Sequence, residues 1–278
     1  MTAPIDPDGL RVLKKGTLPK NGGEYALVSL SSQNIGDILA LQDISTRAMA
    51  SNEQDFLLQR DKIFFEKHFS RGHTGLGVVH DGQLIARSIV INPTSTHPRS
   101  GMTNMPLRAK TNTITVIQGV IVHPDYRGNR LMEAMLDEWL KMAQEQGRTH
   151  ALARVAADNI RSWASFLSAG LQIHSLDVSG ICKYNLHGFV ASPALTAVKL
   201  PPYLRNQENI IECLRTDLET QRTLLSKGYC GIKFNPANGT ILFLPSKDIF
   251  QEFYPSATSR MASNSNQRFS ASANSSRA

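Results

Sequence analysis

Residues 120–131 read V-I-V-H-P-D-Y-R-G-N-R-L, and the order of residue types in that run suggests a chemistry. An apolar, β-branched stretch stops at His123-Pro124. A basic turn follows at Arg127-Gly128-Asn129, and a helix is expected over 130–146. The first N–H groups of a helix have no partner within it and carry the positive end of its dipole. Set beside the guanidinium groups of Arg127 and Arg130, those amides form a site for a phosphate-bearing ligand. Two nearby groups could act on protons or water. His123 is either a base or an ordinary loop histidine before proline. Gln118 is expected on the same strand face as Val116 and Val120, where it orders a water or sits as a satisfied core amide. Further on, Asn159 either caps a helix, faces a ligand, or does both.

These groups need elements to hold them. Residues 1–23 are rich in Pro and Gly and read as an irregular arm. A strand is expected at 25–30, and helices at 35–49 and 55–69 from apolar residues at helical spacing. Strands at 75–80 and 84–91 flank Asp81-Gly82, a hairpin signal. Residues 93–110 carry three prolines and a glycine and read as a loop. The run at 114–122 is the most β-branched of the chain. The helix at 130–146 turns Leu131, Met135, Leu136 and Trp139 inward and ends at Gly147, a residue suited to a helix C-terminus. A strand at 151–156, a helix ending before Gly170, and strands at 172–178 and 181–186 complete the main unit. Beyond Pro201-Pro202 a helix is expected over 207–227, with Ile210, Ile211, Leu214, Leu218, Leu224 and Leu225 on one face. A hairpin at 229–234 and 240–244 follows. One helix and one hairpin cannot bury a core alone. The module at 203–254 should therefore dock on the main domain, on a second copy or on another protein. From Ser256 the Ser/Asn/Ala/Arg tail is too polar to fold.

The domains read from this pattern are an arm (1–23), a main domain (24–198), a helix–hairpin module (199–255) and a disordered tail (256–278). The chain has 278 residues and a formal charge of +7. Residues 1–198 hold 20 Lys/Arg against 17 Asp/Glu, so the main domain is nearly balanced, and three unopposed arginines sit in the tail. No basic stripe interleaved with aromatics appears, so nucleic acid is not an expected partner. No apolar run approaches the ~20 residues of a membrane span. Asp6 and Asp8 near the start, with no apolar segment, argue against a secretory leader. Three cysteines and eight histidines show no metal-ligand spacing, and the sparse cysteines suit a reducing, cytoplasmic setting.

The order of elements and two motifs resemble the GNAT superfamily of acyl-CoA-dependent N-acyltransferases. The resemblance covers Tyr25 to His187. One motif is V-I-V-H-P-D-Y-R-G-N and the helix after it. The other is D-N-I-R-S-W-A-S-F-L-S-A-G-L at 158–171, with Asn159 and Gly170 at the family's separation. The implied fold is a mixed α/β (α+β) one: a mostly antiparallel central sheet flanked by helices, here with the C-terminal helix–hairpin module added. The implied co-substrate is acetyl-CoA, with no metal. Its pantetheine arm would lie between splayed strands, along the backbone of Val120, Ile121 and Val122. The turn around Arg127, with amides of Gly128, Asn129, Arg130, Leu131, Met132 and Glu133, would take the pyrophosphate. Asn159 would bond near the thiol end. The implied activity is N-acetylation of a primary amine, on a small molecule or a protein, by direct attack in a ternary complex. The chain departs from the family pattern in its proton-transfer groups and its phosphate turn. The usual tyrosine acid maps to Phe166. The usual glutamate base maps to Val116 or Arg154. The usual small residues of the phosphate turn are Arg130 and Met132. The alternative reading is an acyl-CoA-binding protein with weak or no catalysis, serving as a sensor or interaction module.

Overall fold

In a computed structural model the described residues are 10–57, 59–98, 110–177, 186–191 and 210–245. They form one eleven-stranded sheet in the order β1-β2-β3-β4-β5-β6-β8-β7-β10-β11-β9. The strands are β1 (Val12–Thr17), β2 (Glu24–Leu30), β3 (Thr74–His80), β4 (Gln83–Ile91), β5 (Ile114–Val122), β6 (His150–Ala156), β7 (Gln172–Asp177), β8 (Leu186–Ala191), β9 (Ile211–Leu214), β10 (Tyr229–Asn235) and β11 (Thr240–Pro245). The helices, renumbered in chain order, are α1 (Ile35–Arg47), α2 (Lys62–Ser70), α3 (Leu131–Glu145), α4 (Ile160–Ser168) and α5 (Leu218–Ser226).

All described pairings are antiparallel except that of β5 with β6. That parallel pair is short, running only from Ile114↔His150 to Val116↔Leu152. Beyond Val116 the two strands part, which opens the sheet at its centre. The sheet divides two cores. Leu131, Met135 and Trp139 of α3 and Trp163 and Phe166 of α4 pack on one face, with Ile117 and Ala153 beneath them. Ile38 and Leu41 of α1 and Phe65 of α2 pack on the other, against Ile89, Val116 and Ile121. Trp139 donates to the Thr115 hydroxyl at 2.9 Å, so its indole N–H is satisfied in the core.

Several elements differ from the sequence reading, each for a local reason. The expected helix at 55–69 is broken: a 3-10 turn at Gln54–Phe56 is followed by α2, which starts where Asp61 accepts from the Phe64 N–H at 2.7 Å. The expected helix at 207–227 is likewise only α5, begun by Asp217, which accepts from Thr220 N–H at 3.0 Å. Residues 207–209 of that run lie outside the described residues, and Ile211–Leu214 is strand β9, paired to β11 from Ile211↔Phe243 to Leu214↔Thr240, so Ile211 and Leu214 lie on a sheet edge rather than a helix face. The arm at 1–23 contains β1, an edge strand that carries Lys14 and Lys15, residues that guard such edges. Residues 181–185 of the expected last strand lie outside the described residues, and β8 begins at Leu186. The expected tail at 256–278 lies outside them too. The hairpin β10–β11 continues the main sheet, with Gly231 of β10 opposite Ile173 of β7. Phe234 packs edge-on against Trp163, with ring centroids 4.8 Å apart.

Candidate active site

The opening between β5 and β6 leads into a cavity of about 940 Å³. Its wall includes Val120, Ile121 and Val122 of β5, then Arg127, Gly128, Arg130, Leu131, Met132 and Glu133 at the start of α3, and Asn159 at the start of α4. Ser45, Met49, Glu53, Phe56 and Leu57, at and after the end of α1, close the opposite side.

The α3 end gathers cationic side chains and free helix amides. Gly128 has φ +86 and Arg130 has φ +58, so the turn is left-handed twice within three residues. That geometry suits Gly128 and strains Arg130. It leaves α3 with no side-chain cap, whereas Asp61, Asn159 and Asp217 cap α2, α4 and α5. The first-turn amides of α3 therefore lack a side-chain acceptor, and their residues line the cavity together with Arg127 and Arg130. Those residues fit a pyrophosphate by charge and by donor supply. Glu133, in the first turn, adds the acidic group that a helix start favours.

Asn129 has a different role from its neighbours. It is 3% exposed and does not line the cavity. Its Oδ1 accepts from the backbone N–H of Lys20 at 2.7 Å, and its Nδ2 donates to Asn21 Oδ1 at 2.7 Å and to Tyr126 O at 3.0 Å. Its side chain thus ties the turn to the β1–β2 connection. Asn159 lines the cavity and also caps α4, its Oδ1 accepting from Ser162 N–H at 3.2 Å.

The two proton-handling candidates fall outside the cavity wall. His123 is 9% exposed, and its Nδ1 accepts from Asp125 N–H at 3.3 Å. Gln118 is separated from the cavity by a bulge. The β4–β5 register slips between Arg87↔Ile121 and Ile89↔Gln118, and Gly119 has φ +56. An extra residue reverses the facing of everything after it. Val116 accordingly packs with the α1–α2 core and Val120 with the α3–α4 core, so Gln118 cannot share a face with both. Phe166 is a buried core ring against Phe189, Val116 is core, and Arg154 is held by Asp177 at 2.7 Å.

Residues 38–171 match the model of the acetyltransferase (GNAT) family. That stretch of the chain is similar to a GNAT acetyltransferase domain. Among solved structures it resembles yncA from Salmonella typhimurium with its cofactor acetyl-CoA, at 13% identity and a TM-score of 0.45, covering 61% of this chain and 94% of that one. It also resembles the GNAT-family acetyltransferase from Streptococcus pneumoniae (14%, TM-score 0.46, 60% and 98%). A third is the ribosomal-protein-alanine N-acetyltransferase from Brucella melitensis (16%, TM-score 0.43, 60% and 98%). No curated protein matches the sequence.

The cavity and its surroundings hold residues that spacing alone did not single out. Tyr126, Asp158, Arg161 and Ser162 also line the cavity. More telling is Arg87 of β4, 1% exposed, which donates to Gly119 O at 2.7 Å and to Gln42 Oε1 at 3.0 Å. Burial, with Arg60 adding to it, pulls the Arg87 guanidinium down to about 9. The sequence held a signal for each partner: a lone arginine in the apolar strand L-I-A-R-S-I-V-I, and a glycine inside the β-branched run I-T-V-I-Q-G-V-I-V. Among the described residues no three His, Cys, Asp or Glu converge as a metal site, and no helix is long and apolar enough to cross a membrane.

Proposed function

We propose that the chain is an acetyl-CoA-dependent N-acetyltransferase that moves an acetyl group to a primary amine by direct attack in a ternary complex. The observation that carries this reading is the cavity itself. An end with uncapped helix amides and two arginines continues along the splayed β5 backbone to a wall formed by residues at and after the end of α1. Acetyl-CoA supplies an activated acyl group with a good leaving thiol. The arginine end holds its phosphates, and the backbone of β5 beyond Val116, paired to β4 on one side but left by β6 on the other, can bond an extended arm as an added strand would. The nitrogen lone pair forms the new C–N bond and the C–S pair leaves on sulfur. One proton leaves nitrogen and one is taken up by sulfur. Glu53, on the α1 side, can attract the amine as its ammonium ion, which gives one proton to solvent before the neutral nitrogen attacks. The acceptor is a small amine or a protein amino group, and the setting is cytoplasmic.

Calorimetry is expected to give a Kd in the micromolar range for acetyl-CoA, about −8 kcal/mol. Thiol release with an amine panel then tests transfer. No heat and no thermal shift with saturating acetyl-CoA would refute the reading. Binding without thiol release on any amine would favour an acyl-CoA-binding module, the reading suggested by Phe166 and Arg154 standing where proton-transfer groups are usual.

A further inference from the structure

We infer that Arg87 is a positioning residue which aims and polarises the Gly119–Val120 peptide, so that its N–H donates to the acyl oxygen of the thioester; this rests on the acetyl-CoA reading above. Arg87 is a fully buried cation, yet among the described residues no carboxylate pairs with it. Keeping such a charge inside a fold is costly unless its donors are well used. The two terminal nitrogens are aimed at dipoles, while the buried Nε has no partner among the described residues. Nη1 donates to the Gly119 carbonyl, Nη2 donates to Gln42 Oε1, and the Phe65 ring lies 5.4 Å from the guanidinium carbon. Gln42 is itself fixed, its Nε2 donating to Arg60 O at 2.9 Å and its Oε1 accepting from Arg60 N–H at 3.1 Å. The guanidinium therefore has little freedom to turn.

The carbonyl it grips belongs to the bulge. A planar trans peptide points its N–H opposite to its C=O. With Gly119 O held by Arg87, the N–H of Val120 points away from the guanidinium, and Val120 is a wall residue of the cavity. A cation on the carbonyl strengthens the donor at the other end of the same amide. Pairing Arg87 with an acid would cancel that field. An unpaired guanidinium leaves net positive charge behind the one place in the reaction where negative charge develops, on the tetrahedral oxygen. Gly119 is part of the device, because a Cβ there would stand 2.9 Å from Arg87 Nη1.

The test is isotope-edited infrared spectroscopy of [1-13C]acetyl-CoA bound to the full chain, with Arg87→Met and Arg87→Lys. The parent should lower the carbonyl stretch relative to free acetyl-CoA. Arg87→Met should lose that shift and Arg87→Lys most of it, while the Kd for CoA, which lacks the acyl oxygen, stays within about twofold, a change of ~0.4 kcal/mol. A parent that binds acetyl-CoA without lowering the stretch overturns the inference and leaves the acetyl-CoA reading standing. So does a variant that keeps the full shift, whatever happens to its CoA affinity. Should Arg87→Met fail to fold, the parent and Arg87→Lys spectra decide by the same criteria. A parent that binds no acetyl-CoA refutes the functional reading itself, before any variant is compared.

Discussion

Gly119→Ala tests the bulge quantitatively, because Gly147→Ala supplies a matched control. Both glycines sit in the left-handed region, at φ +56 and +66. Each substitution carries the backbone penalty of that region, ~1–2 kcal/mol. Around Gly147 a Cβ would meet nothing within 4 Å, so the backbone penalty is the whole cost. At Gly119 the new methyl would stand 2.9 Å from Arg87 Nη1 and 3.1 Å from Ile89 Cδ1. Arg87 can yield only by giving up its bond to Gly119 O, and a buried bond from a charged donor is worth ~1.5–3 kcal/mol. The expected totals are then ~3–5 kcal/mol for Gly119→Ala and ~1–2 kcal/mol for Gly147→Ala. In urea unfolding the midpoint should fall further for Gly119→Ala, with the slope unchanged. At ~2–4 °C per kcal/mol, its Tm should lie roughly 3–12 °C below that of the control. If Gly119→Ala is no less stable than Gly147→Ala, the close packing of Arg87 on the bulge has no energetic weight, and the account of that strand is wrong.

Arg130→Gly separates fold from ligand: it removes a left-handed non-glycine residue and should stabilise the chain by ~1 kcal/mol, while loss of the cation weakens acetyl-CoA binding by ~1–3 kcal/mol in calorimetry. Unchanged affinity at low salt would show that the main chain alone holds the phosphates. His68 donates from Nε2 to Thr74 O at 2.8 Å, and burial pushes it down to about 4, so it is neutral in the fold and takes a proton on unfolding below its ordinary value near 6.5. Its contribution is whole above pH ~6.5 and fades as pH falls toward 4, by up to ~1.4 kcal/mol per unit. Urea titrations from pH 7 to 4 should show that decline, and His68→Gln should flatten it. An identical slope in the variant would contradict the assignment. Deleting residues 199–278 should strip β10 from β7 and Phe234 from Trp163, lowering solubility and Tm; a truncated chain of equal stability and solubility would mean that the module folds apart from the sheet.

The central strands and the turn before α3 were legible because their signals are local: β-branched runs, Asp81-Gly82 and the R-G-N turn need no distant partner to be read. Both over-long helices failed in the same way. Apolar spacing continued through 55–69 and through 207–227, but Asp61 and Asp217 sat inside each run in the position of an N-cap and began a new helix there. The capping residue was a better guide than the periodicity. Strand β9 was hidden because its conformation comes from β11, more than twenty residues away, and not from its own four residues. Gln118 was misplaced because parity along a strand counts residues, and one bulge changes the count. The chemistry of Arg87 could not be read at all, since its meaning lies in which carbonyl it touches.

The side chain of Asn129 has a consequence for how the molecule comes together. Its partners Lys20 and Asn21 lie 109 and 108 positions earlier in the chain. The turn before α3 is therefore complete only after the first hairpin has been laid along the sheet edge and the turn has closed on it. An incompletely assembled chain has the same arginines but not the same loop. A ligand that recognises the finished turn would bind only the assembled fold, so its presence would shift the folding equilibrium as a whole by mass action. Shortening the N-terminus through Lys20 would weaken that ligand without touching any residue that meets it.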